Sequence, residues 1–153
     1  MTDVPFRFGL ERVRELRAHD EDRAREEFAA SLNRRARGAA MLQAAQDLIQ
    51  EARDGRRSEA AAGPLTGQDL VSQQLWLERL ERHRDSAAQE LTRSDAELSA
   101  RRHELDQARQ KREVLEKLKE RRRDEHAAEN ARREGAALDE MALSAHVRRM
   151  AGR

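Results

Sequence analysis

The sequence predicts an all-α protein, an antiparallel coiled-coil hairpin of two helices in which the second helix is longer than the first. Five leucines lie in a seven-residue repeat between positions 70 and 105, interrupted only by Arg84, and this spacing is typical of a coiled-coil seam. One break rich in Gly and Pro divides the chain in two. Charged residues make up 40% and aromatic residues 3%, which leaves too few large apolar side chains for a globular core.

The first helix is predicted from about residue 6 to about residue 53, with Asp3 as N-cap and Pro5 in the first turn. Its apolar residues follow one another in steps of three and four, or in sums of these steps, as on one face of a helix. They are Phe6, Leu10, Val13, Leu16, Ala24, Phe28, Leu32, Ala36, Ala39, Leu42, Ala45, Ile49 and Ala52.

The loop is predicted at about 54–67, because Gly55, Gly63, Pro64 and Gly67 interrupt the helical pattern there. Residues 63–67 are Gly-rich but lack the Gly-Lys-Ser/Thr ending of a phosphate-binding loop, so they are interpreted as a turn. Thr66 with Asp69 three residues later predicts a capping box at the start of the second helix.

The second helix is predicted from about 68 to about 149, since only Gly135 interrupts the run before Gly152. Two rows of side chains seven residues apart form its predicted seam. The first row is Leu70, Leu77, Arg84, Leu91, Leu98, Leu105 and Arg112. The second row contains Leu80, Ala87, Ala108 and Leu115, and is interrupted by Gln73, Ser94 and Arg101. Helix and seam together predict a single hairpin domain over residues 1–153.

The pairing of the two helices follows from the predicted loop. Folding the chain about position 61 places Phe6 opposite about Glu116, so that the second helix overhangs the first by ~45 Å. The overhang carries apolar residues, among them Leu118, Leu138, Met141 and Val147. Because an isolated helix gains most of its stability from packing its apolar face, we expect this stretch either to fray in the free protein or to pack on a partner.

No residue pattern predicts an enzyme, a cofactor site or a metal site. The chain has no Cys, and its five histidines are too far apart in the sequence to form a ligand cluster. No apolar run is long enough for a membrane span, and the N-terminus has no secretory signal pattern. We therefore expect a cytoplasmic protein without catalytic residues and without direct membrane insertion.

A basic run occupies residues 117–123, although the net charge of the chain is only +1. A solvated helix face with Glu–Lys pairs is the simplest interpretation, and an acidic protein surface is the next. Nucleic-acid binding is not expected, since it requires a larger basic excess and stacking aromatic residues.

Trp76 is the only tryptophan and lies beside the leucine seam near the loop. Two interpretations remain open from the sequence. Trp76 either folds back over Met41, Leu48 or Ile49 of the first helix, or is exposed as an anchor for a partner, a role in which Trp is enriched.

Several motifs in order along the chain resemble the FliJ family of the flagellar type III export apparatus. These are Phe6-Arg7-Phe8-x-Leu10-Glu11-Arg12-Val13, the Gly-Pro break, the run from Leu115 to Arg121, and Glu134-x-x-x-Leu138-Asp139-Glu140-x-Ala142. The resemblance covers essentially the whole chain. It implies a coiled-coil stalk that associates with the hexameric export ATPase and with the cytoplasmic domain of the export gate protein, and that is linked to recycling of export chaperones.

The resemblance also implies, by position, which residues contact each partner. The ATPase-binding candidates are Phe6, Leu10, Val13, Leu118, Arg121, Arg122, Arg123, Leu138, Asp139 and Glu140. The gate-binding candidates are Met41, Leu48, Trp76 and Leu80. The expected location is the cytoplasmic face of the inner membrane, with a monomer in isolation. An injectisome stalk and a homodimeric coiled-coil scaffold are the alternatives.

Overall fold

The computed structural model describes residues 5–152, and over these residues the protein consists of two α-helices and no strand. Helix α1 spans Glu11–Ala62 and helix α2 spans Gly67–Ala151. The helices pack against each other in opposite directions, as the ion pairs Arg34–Glu97 and Arg53–Glu81 require. The predicted fold class, an antiparallel hairpin with a longer second helix, is confirmed.

The predicted start of the first helix, at about Phe6, is wrong by about one turn. Residues 5–8 are non-helical, and the backbone N–H of Glu11 donates to the carbonyl of Phe8 where α1 begins. In this segment Phe6 and Phe8 are both half-buried while Arg7 is exposed. A non-helical segment can present alternate side chains to one side, whereas a helix would point Phe6 and Phe8 about 200° apart. The predicted N-cap, Asp3, lies outside the described residues.

The predicted loop at 54–67 is also wrong, because α1 continues through Gly55 to Ala62. One glycine costs a helix only about 1 kcal/mol, and contacts with α2 offset that cost. Arg53 pairs with Glu81 at 3.2 Å, and Gln73 donates to Glu59. The helix ends where Gly63 precedes Pro64, since a residue before proline avoids the helical conformation.

The capping box at the start of α2 is confirmed. The Asp69 backbone N–H donates to Thr66 Oγ1 at 3.2 Å, and the Thr66 backbone N–H donates to Asp69 Oδ2 at 3.0 Å. The Thr66 hydroxyl also donates to Asp69 Oδ2, at 2.6 Å. The hydroxyl and backbone donors of Thr66 lower the pKa of Asp69.

Helix α1 is longer and the link shorter than predicted, so the pairing of the helices shifts along α2. Arg14, rather than Phe6, lies opposite Glu116, at 2.8 Å. Phe6 instead contacts His126, ten residues further along α2.

The chain divides into two compact units. Unit 1 comprises Met1–Glu21 with Ala108–Arg153, and unit 2 comprises Asp22–Gln107. In unit 2 the predicted seam of α2 is buried at Leu77, Leu80, Ala87 and also at Ser94. Leu70 does not belong to it, because its side chain is exposed beside the link. The prediction of a single domain stays a prediction.

The predicted apolar stripe of α1 is only partly correct. Ala45 and Ile49 are buried as expected, but Val13, Leu16 and Leu32 are exposed, Leu16 by 55%. Several of the α1 residues that are buried against α2 are not apolar. Among them are Glu21, Ser31 and Gly38. Heptad steps back from Ile49 fall on Leu42, Arg35, Phe28, Glu21 and Arg14, and these steps exclude Val13 and Leu16; Arg35 is the exposed member of this row.

Replacing Gly38 by alanine is expected to stabilise the protein by about 1 kcal/mol, because alanine is the better helix former. An added Cβ meets Leu91 at 3.7 Å and Ser94 Oγ at 3.8 Å, both ordinary van der Waals distances. Thermal unfolding followed by circular dichroism measures the change.

The matched control is Gly55→Ala, where an added Cβ meets nothing within 4 Å. It should give a similar gain from helix propensity alone. A Gly38→Ala variant that melts below the wild type, while Gly55→Ala melts above it, contradicts the spacing between Gly38 and the Leu91 and Ser94 side chains.

Candidate functional site

A groove of about 1060 Å³ lies in unit 1, between the non-helical segment before α1 and the side of α2. Most of its lining is apolar or aromatic, with two carboxylates and two arginines among the remaining groups. The lining residues are Pro5, Phe6, Arg7, Phe8, Gly9, Leu10, Leu118, Arg122, Glu125, His126 and Glu129. The groove therefore brings together four predicted ATPase-binding residues, Phe6, Leu10, Leu118 and Arg122.

An aromatic contact closes one wall of the groove. The rings of Phe6 and His126 lie 5.6 Å apart between centroids and are tilted by 58°, a favourable arrangement for aromatic pairs. The spacing of residues in the sequence does not predict this contact of His126. The contact could have been predicted from which residues of the two helices lie opposite each other. That alignment can be derived only when the position of the loop is known.

A cluster of ion pairs holds the beginning of α1 on α2 next to the groove. Glu11 accepts from Arg14 at 2.5 Å and pairs with Lys119 at 2.9 Å, while Arg14 also reaches Glu116 at 2.8 Å. Hydrogen bonds from Arg14 and Lys119 lower the pKa of Glu11 to about 2. Glu11 therefore stays charged at neutral pH, and its pairs contribute to holding the groove in shape.

A second ion pair lies deeper in the seam of unit 1. Arg112 donates to Glu21, whose side chain is almost fully buried. The hydrogen bond to Glu21 raises the pKa of Arg112. Charged groups thus occupy seam positions that apolar residues fill in unit 2.

The basic run on α2 is partly neutralised by its own helix. Arg121 and Arg122 both pair with Glu125, at 3.0 Å and 3.2 Å, and Arg123 is exposed. The arginines remain on the surface of unit 1, with Arg122 at the edge of the groove. This agrees with a solvated face that can also meet an acidic surface.

The remaining predicted ATPase-binding residues lie elsewhere in unit 1. Val13 is exposed on α1, and Leu138, Asp139 and Glu140 are exposed on α2. None of these four lines the groove. The predicted overhang begins later than expected, because residues 118–129 line the groove with the segment before α1.

In unit 2, Met41, Leu48 and Trp76 are exposed, as a docking surface requires. Trp76, 51% exposed, borders a hollow of about 210 Å³ that is also lined by Ala52 and Gly55. The prediction for Leu80 has to be corrected. Its side chain is only 7% exposed, because it fills the seam between the helices and has no surface left for a partner.

No group of three or more His, Cys, Asp or Glu side chains that could hold a metal ion occurs among the residues that the structure describes. Within the same residues, neither helix contains a stretch apolar enough to cross a membrane.

Comparison with known proteins gives one match. Residues 6–151 match the family model described as "Flagellar FliJ protein". No curated protein matches the chain. No solved structure matches it either.

Proposed function

The chain belongs to the flagellar FliJ family and is therefore a component of the flagellar export apparatus, and we propose that it acts there as a non-catalytic stalk. In this proposal it couples the hexameric export ATPase to the cytoplasmic domain of the export gate. It works at the cytoplasmic face of the inner membrane and takes part in recycling export chaperones. The flagellar family match favours this role over the equivalent stalk of an injectisome.

The observation that carries the ATPase contact is the groove of unit 1. It gathers Phe6, Leu10, Leu118 and Arg122 although they are far apart in the sequence. Exposed apolar surface with basic groups at its rim is typical of a protein-binding site. The proposed ATPase surface therefore consists of this groove together with Arg121, Arg122 and Arg123.

The composition of the surface fits a stalk in a symmetric ring. A single chain cannot match six identical subunits at once, so its contacts have to tolerate several positions. Exposed charges steer association and adapt more readily than a fixed apolar socket. Arg121 and Arg123 are both exposed in the free protein, which leaves them available for such contacts.

The proposed gate surface lies in unit 2 and consists of Met41, Leu48 and Trp76. All three side chains are large, apolar and exposed. Trp is among the residues that most often dominate binding energy at interfaces. Separate surfaces in the two units allow one chain to bind both partners, which a coupling role requires.

Reversing Arg121, Arg122 and Arg123 together to glutamate is expected to weaken ATPase binding by at least ~tenfold and to reduce stimulation of ATP hydrolysis. The expected loss corresponds to roughly 0.5 kcal/mol or more for each rim charge. The weakening should shrink as salt rises, because salt screens exposed charges. Titration of the purified ATPase at two salt concentrations, with a parallel hydrolysis assay, measures both effects.

The control is the same reversal at Arg23, Arg25 and Arg93 of unit 2, which are also exposed. This variant changes the net charge equally and should bind the ATPase as the wild type does. Unchanged stimulation by the Arg121, Arg122 and Arg123 variant contradicts the proposed surface, as does an equal loss in the control.

A further inference from the structure

The two helices of unit 1 pair through charges and without a buried apolar core. The apolar side chains that the structure buries all belong to unit 2; they are Ala45, Ile49, Leu77, Leu80 and Ala87. Among the described residues of unit 1, only Glu21 has a buried side chain, and that residue is acidic. Unit 1 therefore lacks the buried apolar contacts that supply most of the stability of paired helices.

The large apolar side chains of unit 1 keep much of their contact with water. On α1, Leu10, Val13 and Leu16 are exposed. On α2, Leu115 and Leu118 are half-buried. Separating the helices in unit 1 exposes little apolar surface that water does not already reach, so the hydrophobic effect opposes it only weakly.

Ion pairs join α1 to α2 in unit 1, and we call them the ionic latch. They are Glu11–Lys119 at 2.9 Å, Arg14–Glu116 at 2.8 Å, and Glu21–Arg112. The four side chains of the first two pairs are between 24% and 39% exposed, so salt reaches them. Salt screens the attraction of such charges, because the Debye length falls from about 10 Å at 0.1 M to about 3 Å at 1 M.

We propose that the ionic latch lets unit 1 open and close while the helices of unit 2 stay paired. In the open state residues 11–21 of α1 leave α2, and the latch pairs separate. Local opening has a low free energy where few apolar contacts are buried, and unit 1 meets that condition. The same separation in unit 2 exposes Ile49, Leu77 and Leu80 to water, which the hydrophobic effect opposes.

The pair of Glu21 and Arg112 makes opening easier than apolar side chains in the same positions would. Glu21 lies in the heptad row of Ile49, and Arg112 lies in the row of Leu77 and Leu105. A buried ion pair often stabilises a fold less than apolar side chains of similar volume, because the charges lose their hydration. Charges at these two seam positions thus keep the closed state only marginally favoured.

Opening of the latch also takes the groove apart. One wall of the groove is the segment 5–10, and the other wall belongs to α2 between Leu118 and Glu129. Glu11 directly follows the segment, and its pair with Lys119 attaches the segment to α2. A ligand of the groove therefore binds the closed state and stabilises it.

With the export ATPase as the ligand, this stabilisation rests on the proposed function. The opening itself does not depend on that function, because it is measured on the free chain. A free chain that opens as expected but does not bind the ATPase contradicts the proposed function and leaves the latch intact. A free chain whose unit 1 does not open contradicts the latch and leaves ATPase binding to its own test.

Hydrogen exchange of the full chain at about 0.1 M and about 1 M salt, followed by mass spectrometry, tests the proposal. Peptides from residues 11–21 and 108–122 should exchange at least ~tenfold faster at the higher salt, since several attractions are screened together and an unpacked helix is marginal in water. Peptides from residues 38–52 and 77–91 should change by less than ~twofold, because apolar contacts hold unit 2. The proposal is wrong if the first two segments do not accelerate, or if all four accelerate equally.

Arg14→Gln removes one latch pair and should accelerate the exchange of residues 11–21 at least ~threefold at the lower salt concentration. The matched control is Arg34→Gln, which removes the pair of Arg34 with Glu97 at 2.5 Å, also between the helices but in unit 2. Ser31 and Ser94 are buried in that part of the seam. The control should leave the exchange of residues 11–21 within ~1.5-fold of the wild type. An equal acceleration by both variants contradicts the latch.

The double variant Glu21→Leu with Arg112→Leu tests the latch in the opposite direction. Leucines at these two heptad positions give unit 1 the apolar seam that it lacks. Exchange of residues 11–21 and 108–122 should then slow at least ~tenfold at the lower salt concentration, and its dependence on salt should decrease. Exchange in this variant that is as fast as in the wild type, or faster, overturns the proposal.

Discussion

Replacing Trp76 by alanine is expected to lower the affinity for the export gate by roughly thirtyfold, or about 2 kcal/mol, the size typical of an interface hot spot. Trp76 is half exposed beside a hollow, so its ring can supply a large apolar contact to a partner. Its loss removes little from the helix seam, and thermal unfolding should change by no more than ~1 kcal/mol. Titration with the purified cytoplasmic domain of the gate measures the affinity.

Leu75→Ala is the matched control for Trp76→Ala. Leu75 is the preceding residue of α2 and is similarly exposed, but it does not border the hollow. This variant should bind the gate with wild-type affinity. Binding of the ATPase should be unaffected by both changes, because Trp76 belongs to unit 2 and the groove to unit 1. If Trp76→Ala weakens both partners equally, Trp76 is not a specific gate contact.

Replacing Leu80 by alanine is expected to destabilise the protein by about 2–3 kcal/mol, the low end for a buried leucine. Leu80 is one of the few fully apolar side chains that the helices bury between them. Only two helices pack around Leu80, so no further side chains can move in to fill the cavity. The substitution therefore weakens the pairing of the two helices directly. Urea unfolding followed by circular dichroism measures the free energy of unfolding.

Leu75→Ala is also the control for Leu80→Ala, because Leu75 is exposed. It should change the free energy of unfolding by less than ~0.5 kcal/mol. Any weakening of gate binding by Leu80→Ala should disappear at low temperature, where the seam is intact. Normal stability in the Leu80→Ala variant, combined with lost gate binding, contradicts the buried position of this side chain.

The sequence alone predicted the fold class and most of the seam of α2. Leu77, Leu80 and Ala87 recur at heptad spacing, and each is buried in the structure. The capping box of Thr66 and Asp69 was equally predictable, because its partners lie three residues apart. These features depend only on the spacing of residues within one helix, and this spacing can be read directly from the sequence.

The sequence predicted which residues belong to the candidate site, but it did not predict that they lie together in one groove. Phe6, Leu10, Leu118 and Arg122 were named from the family resemblance, and the structure gathers them in one groove. The part played by His126 was missed, and Leu80 was assigned to a surface although it is buried. Both errors concern neighbours that are distant in the sequence.

What the sequence by itself determined is therefore the identity of the helices, the apolar row of α2 and its cap. Only the tertiary structure decided where α1 ends, which side of α1 meets α2, and which residues of the two helices lie opposite each other. The physical reason is that Gly55 is a weak helix breaker whose cost contacts such as Arg53–Glu81 can offset. Each residue added to α1 then shifts the pairing along α2, and that shift places Phe6 at His126.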